Sequence, residues 1–157
     1  MPCCSGSYDA SIGVYLQAVL IPKAFKQPDG KPEAADFFPG GVVRSFKAQI
    51  DTGAQTTCIT KRVIDYYSMK PNGRTEIISV SGQGEVNTFV FTVGFLLGTS
   101  PNKIGSAFAG NFFFFPTIMG AEIYAHDDDD LDILIGMDII SRGSLHIEAS
   151  GYFSFWF

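Results

Sequence analysis

The tripeptide Asp51-Thr52-Gly53 constrains this chain more than any other feature, because of the segment that precedes it. Residues 42–50 alternate between apolar and polar side chains, which is typical of a half-buried β-strand. An acid, a hydroxyl and a glycine directly after such a strand predict a tight turn that holds a carboxylate at the mouth of a cleft. The same three residues also suit an ordinary surface turn, so the tripeptide alone leaves both interpretations open.

A second apolar segment, 131–135, ends in Gly136 and is predicted to be a buried strand. A short helix is expected over residues 137–141. Asp138 would lie in the first turn of this helix, where the backbone dipole stabilises a negative charge. The chain therefore carries two strands that each end in a glycine-containing turn.

The composition of the chain predicts short strands joined by tight turns. There are 15 Phe and 17 Gly among 157 residues, a size that favours a single domain over 1–157. Four of the eight prolines lie in 22–41, which is predicted to be a long loop, as is 97–111. The other predicted strands are 12–21, 56–60, 76–80, 85–93, 112–124, 145–149 and 152–157, with a helical turn over 61–67.

Charge and cysteine content narrow the possible functions. The net charge is -5 and the chain has no basic patch, so we expect no nucleic-acid partner. No apolar segment is long enough to span a bilayer, and no secretory signal is visible, so we expect no membrane association. The odd cysteine count (Cys3, Cys4 and Cys58) favours a reducing, cytoplasmic location, with Cys58 as a small buried residue.

Asp-Thr-Gly-Ala after an apolar strand, with Ile-Leu-Ile-Gly-Met-Asp at 133–138, resembles the retropepsin-like aspartic proteases over residues 42–157. The resemblance implies an all-β, closed-barrel-like retropepsin fold with one short C-terminal helix. Retroviral enzymes carry a paired acid and arginine where this chain has Gln55 and Met137. The sequence is therefore more similar to the cellular and bacterial relatives than to the viral enzymes.

The resemblance also implies roles for individual residues. Asp51 matches the catalytic aspartate, and Thr52 matches a threonine that hydrogen-bonds across a dimer axis. Gly53 and Ala54 complete the active-site loop, while Ile135 and Gly136 pack beneath it. A mobile hairpin, the flap, is expected to cover bound peptide, although a plain hairpin turn would have the same sequence. The expected flap residues are Ser81, Gly82, Gln83 and Gly84.

A chain with a single Asp-Thr-Gly can supply only one of the two acids that this chemistry needs. The resemblance therefore implies an aspartic endopeptidase that acts on peptides or proteins as a homodimer, with no cofactor and no metal ion. One alternative is a non-catalytic module of the same fold that binds an extended peptide. Another is one half of a heteromeric protease.

Two further runs have competing interpretations. The acidic run Asp127 to Asp130 invites a calcium site, but the alternating acids, glycine and final glutamate of a calcium loop are absent, which favours a solvated loop. The run Phe112 to Phe115 has two interpretations. It either belongs to the hydrophobic core, which we favour, or lies at the surface, where it would line an apolar substrate pocket or a dimer face.

Overall fold

The computed structural model describes residues 1–11, 13–23, 44–79, 82–97, 112–124 and 130–157. These ranges contain eleven strands and two short helices, neither of them long and apolar enough to cross a membrane. The strands are β1 (Cys3–Ser7), β2 (Val14–Pro22), β3 (Phe46–Ile50), β4 (Cys58–Thr60), β5 (Gly73–Ser79), β6 (Gly82–Leu96), β7 (Phe112–Phe114), β8 (Ile118–Ile123), β9 (Ile133–Ile135), β10 (Ser144–Glu148) and β11 (Tyr152–Trp156). The helices are α1 (Lys61–Tyr66) and α2 (Met137–Ile140).

The strands form two sheets, which confirms the all-β prediction. The larger sheet has the order β2-β3-β9-β4-β8-β6-β5, and β7 pairs with β6 beside this path. The 15-residue strand β6 also pairs with β2, so the strand order returns to its first member. The smaller sheet has the order β1-β11-β10 and brings the two chain ends together.

The centre of the larger sheet positions the candidate site. Strand β9 lies between β3 and β4, parallel to β3 and antiparallel to β4. Ile50, the last residue of β3, is opposite Ile135, the last residue of β9. Because parallel strands end at the same edge of a sheet, the turns that follow Ile50 and Ile135 lie side by side.

Aromatic side chains fill the core between the two sheets. The Phe115 ring meets those of Phe95, Phe155 and Phe157 at centroid distances of 5.2, 6.4 and 5.1 Å. Such offset and edge-to-face pairs add to the stabilisation that burial of the rings provides. Phe115 is buried together with the first residue of the phenylalanine run, in agreement with the core interpretation.

The sequence-based element boundaries need several corrections. The predicted strand 112–124 is divided into β7 and β8, and Pro116 lies in the gap, because proline has no N–H to donate to a ladder. Strand β1 was not predicted, since Cys-Cys-Ser-Gly-Ser has no strand pattern and forms a strand only by pairing with β11. Pro22 belongs to β2 rather than to the predicted loop 22–41. Most of that loop lies outside the described residues, and so do residues 98–111 of the second predicted loop.

Candidate active site

Asp51 begins the turn at the end of β3. Its N–H donates to the Ile135 carbonyl at 3.0 Å, which extends the parallel pairing of β3 and β9 by one residue. Its Oδ1 accepts the Gly53 N–H at 2.8 Å, and its carbonyl accepts the Ala54 N–H at 3.2 Å. The half-buried carboxylate is thus held by its own turn, while Thr52 and Gly53 are exposed beside it.

The helix α2 supports this turn from the neighbouring strand. The Met137 N–H donates to the Ala54 carbonyl at 2.8 Å, and the Asp138 N–H donates to the Gln55 carbonyl at 3.2 Å. These bonds satisfy helix N-terminal N–H groups that have no partner within the helix. The turn after β3 is therefore bonded through its backbone to the start of α2.

Gly136 allows the two segments to approach this closely. A Cβ atom at this position would lie 2.6 Å from the Thr56 carbonyl carbon and 2.9 Å from the Thr57 nitrogen. Both are backbone atoms, which cannot move aside without distorting the turn. The structure therefore brings Ile135 and Gly136 directly against the Asp51 loop.

The buried residue Thr57 and Asp138 form an anchor that sequence reasoning missed. The Thr57 N–H donates to both Asp138 carboxylate oxygens, at 3.1 and 3.0 Å, and its hydroxyl donates to Oδ1 at 2.6 Å. The same hydroxyl accepts the Gly136 N–H at 3.1 Å. Asp138 does lie in the first turn of α2, as predicted, but its carboxylate also ties that helix to the loop that follows Asp51. Residues 81 positions apart carry no local signal for such a contact.

Cys58 lies just beyond this anchor and is partly buried. Burial raises the pKa of its thiol to about 11, and the carboxylates of Asp138 and Asp51 act in the same direction. Its Sγ donates to the Thr56 carbonyl at 3.3 Å. A thiol with a raised pKa carries little thiolate at neutral pH, so Cys58 is unsuited to be a nucleophile.

The hairpin of β5 and β6 stands where the flap was expected. Gly82 pairs with Ser79, the last residue of β5, and Gly84 pairs with Ile77. Gly82, Gln83 and Gly84 therefore belong to strand β6 and not to the turn that was predicted for them, while Ser81 lies outside the described residues. The cross-strand bond from the Gln83 side-chain amide to Glu76 Oε2, at 3.1 Å, stabilises this exposed end of the ladder.

The acidic segment before β9 contributes structural ion pairs. Lys47 lies 2.7 Å from Asp130 and lowers the pKa of that carboxyl. The Asp132 carboxylate accepts two hydrogen bonds, one from the Arg62 Nε–H at 2.7 Å and one from the Lys47 backbone N–H at 2.9 Å. In the part of the chain that the structure describes, no group of three or more acidic, histidine or cysteine residues could hold a metal ion. The remainder of the acidic run, 127–129, lies outside that part.

Comparison with known proteins identifies the fold. No protein-family model and no curated protein matches the sequence. A retropepsin-like aspartic protease from Rickettsia conorii is similar in structure, with a TM-score of 0.55 at 14% identity over 98% of this chain and 89% of that one.

Two further matches have lower TM-scores. The retroviral protease-like domain of Ddi1 from Leishmania major has a TM-score of 0.44 at 18% identity, over 88% of this chain and 82% of that one. The simian foamy virus protease has a TM-score of 0.39 at 14% identity, over 82% and 92%. On the similarity to the Rickettsia structure, and with Asp51 at the end of β3 beside Gly136, the chain has the fold of the retropepsin-like aspartic proteases.

Proposed function

We propose that this chain is an aspartic endopeptidase that acts as a homodimer. The observation that carries the proposal is the setting of Asp51: its carboxylate stands at the end of β3 in a turn that leaves Thr52 and Gly53 exposed and that α2 supports from behind. An acid so fixed is a suitable catalytic group, because its position costs no reorganisation when a substrate binds. The chain holds one Asp-Thr-Gly, so a second copy must supply the other acid.

The chemistry follows from two carboxylates close to a two-fold axis. Like charges a few ångströms apart cannot both ionise, so the pair retains one proton, as is known for aspartic proteases. The ionised member takes a proton from a water molecule as that water attacks the peptide carbonyl carbon. The protonated member donates a hydrogen bond to the carbonyl oxygen. The shared proton belongs to the pair and not to one Asp51.

The surrounding residues have supporting roles in this proposal. The exposed hydroxyl of Thr52 would hydrogen-bond across the axis and hold the two turns together. The hairpin of β5 and β6 would cover an extended peptide, with Gly82, Gln83 and Gly84 contributing backbone groups. Closure of this hairpin would exclude bulk solvent from the site, while the one attacking water is retained between the two carboxyl groups.

The decisive experiment is cleavage of a peptide library by the wild-type chain and by Asp51→Asn across acidic and neutral pH. We expect the variant to lose at least about 100-fold in rate, since a general acid–base group contributes on that order or more. Asp9→Asn is a matched control, because Asp9 is also a turn aspartate whose Oδ1 accepts the N–H two residues on, from Ser11 at 2.8 Å. It should cleave as the wild type does.

Mixing the two chains tests the shared site directly. Excess Asp51→Asn protein should suppress wild-type cleavage, because mixed dimers contain one carboxylate and one amide. Cleavage that survives Asp51→Asn would refute the proposal. Stoichiometric peptide binding without cleavage would favour a binding module, and activity that requires a different Asp-bearing chain would favour a heteromeric protease.

A further inference from the structure

The hairpin of β5 and β6 projects beyond the other strands of the larger sheet. Strand β6 pairs with β8 only as far as Thr88, which is opposite Ala121, whereas its pairing with β5 continues to Gly82. Residues 73–79 and 82–87 therefore form a two-stranded ribbon, and no third described strand lies beside it. A two-stranded ribbon has little stability of its own, so the contacts at its base decide how firmly it is held.

The register of the strands shows which way the base of the ribbon faces. Residues that are opposite one another in neighbouring strands share a face of the sheet, and successive residues alternate between faces. Through β8, Thr88 shares a face with Cys58, whose thiol pKa is raised in part by the charge of Asp51. The neighbouring residue Asn87 points to the opposite face, which is the core face that carries the fully buried Ile59.

A buried carboxyl group lies behind the base of the ribbon. Glu122 of β8 is opposite Ile59 of β4 on the core face, and it is only 9% exposed. Its Oε2 accepts a hydrogen bond from the Asn87 side-chain amide at 2.8 Å. A polar group without a partner is costly to bury, so buried polar groups in folded proteins are nearly always hydrogen-bonded. The bond from Asn87 therefore offsets the cost of placing Glu122 at the edge of the core.

A second polar pair on this face stays within the ribbon. Arg74 of β5, which is opposite Asn87, donates from Nη1 to the Glu85 carboxylate of β6 at 3.0 Å. Both side chains of this pair are more than half exposed, so water competes for their bond and little stability is expected from it. The Asn87–Glu122 bond differs in both respects, because it is partly buried and because it joins the ribbon to β8.

We propose that Asn87 and Glu122 are positioning residues, which together hold the ribbon at one angle to the face of the sheet beside Asp51. The inference rests on the proposed role of this hairpin as the cover of a bound peptide. A tilt of the ribbon about the Thr88–Ala121 pair changes the separation of the next two residues in the same register, and these are Asn87 and Glu122. A hydrogen bond weakens steeply when its distance or angle changes, so this bond favours one orientation of the ribbon.

The consequence for the proposed reaction is a change in peptide affinity rather than in chemistry. A ribbon released from β8 has more than one orientation, so only a fraction of the molecules has it placed to cover a peptide, and the apparent affinity falls by that fraction. Loss of a hydrogen bond to a charged group corresponds to about a tenfold change in such an equilibrium. Breaking the Asn87–Glu122 bond should therefore raise KM about tenfold and leave kcat within about twofold, since neither residue touches the Asp51 carboxyl groups.

The test exchanges the two side chains and follows amide hydrogen exchange of the full chain by mass spectrometry. Asn87→Asp places a second carboxyl group against Glu122 and should accelerate exchange in 73–79 and 82–87 about tenfold, with no change in β9. Glu122→Gln keeps an acceptor, its amide oxygen, and should exchange as the wild type does. The double variant Asn87→Asp/Glu122→Gln forms an amide-to-carboxylate bond in the reverse direction, so it should restore slow exchange and the wild-type KM.

Arg74→Ala is the matched control, because it breaks the polar pair inside the ribbon and should change these exchange rates less than about twofold. Asn87→Ala is a milder second variant, which removes the donor without opposing two carboxyl groups and should accelerate the same segments. Overturning results are an unchanged ribbon in both Asn87 variants, an acceleration spread equally over β8 and β9, or a double variant no slower than Asn87→Asp.

The exchange measurement separates this inference from the proposed activity. Asp51-dependent cleavage by a chain whose ribbon is insensitive to the Asn87 changes ends this inference alone. A ribbon that responds as expected, in a chain that cleaves no peptide, ends the proposed activity and leaves the restraint by Glu122 in place.

Discussion

The Thr57–Asp138 anchor offers the sharpest test of how this chain holds the loop that follows Asp51. Asp138→Ala removes the acceptor of both Thr57 donors, the backbone N–H and the hydroxyl. Thr57 is 0% exposed, so water cannot replace the lost partner without local opening. Thr57→Val removes the hydroxyl instead and leaves the Gly136 N–H without its acceptor.

The magnitude follows from the number and kind of bonds. A hydrogen bond to a charged group contributes roughly 1.5–3 kcal/mol. Asp138 is partly exposed, so we take the low end for each of two donors and expect Asp138→Ala to lower the free energy of unfolding by about 3 kcal/mol. Thr57→Val should cost about 1–2 kcal/mol, since one neutral N–H loses its acceptor and one charged acceptor loses a donor.

The assay is urea unfolding followed by the fluorescence of Trp156, which is the single tryptophan of the chain. All variants must be compared at one protein concentration, because the proposed self-association would raise apparent stability. The double variant should be more stable than the sum of the two losses predicts, by about 1 kcal/mol, because the residues share bonds. Thr56→Val is the matched control: Thr56 is exposed, and the change should stay within about 0.5 kcal/mol of wild type.

Two results would refute this reasoning. One is an Asp138→Ala chain that unfolds at the wild-type urea midpoint with the same slope. The other is strict additivity in the double variant, which would mean that the two side chains stabilise the fold independently.

Other changes test the close packing and the electrostatics around the loop. Gly136→Ala should lower the free energy of unfolding by about 2 kcal/mol or more, because the added Cβ would lie 2.6 Å from the Thr56 carbonyl carbon. Gly84→Ala is the control: the space around Gly84 is open, so this change should lower the free energy of unfolding by less than about 1 kcal/mol. Both values are measured by urea unfolding. The pKa of the Cys58 thiol, raised by burial to about 11 from its ordinary 9.0, lowers its thiolate fraction at pH 8 by about 90-fold. Alkylation of Cys58, followed by mass spectrometry, should therefore be slow in the folded chain, accelerate as pH rises towards 11, and become fast in urea. Equal rates in folded and unfolded protein at pH 8 would contradict the burial that the structure shows.

The class of the fold and the position of the candidate acid could be predicted from the amino-acid sequence. Alternation over 42–50 and the apolar run ending in Gly136 were enough to predict two strands and two turns, because half-buried and buried strands have recognisable patterns. The helix after Gly136 was also predictable, since the apolar run stops there and helical residues follow. These are local properties, carried by neighbouring residues.

How these parts meet could not be predicted and is seen in the folded chain. The Thr57–Asp138 anchor joins residues far apart in the chain, and it exists because β3 and β9 run in parallel and end together. Strand β1 forms by pairing with β11, although its own residues have no strand pattern. The place of β10 at the end of the order β1-β11-β10 likewise depends on which of the described strands join the smaller sheet. Such contacts arise from strand order and register, and a linear pattern of apolar and polar residues does not encode strand order.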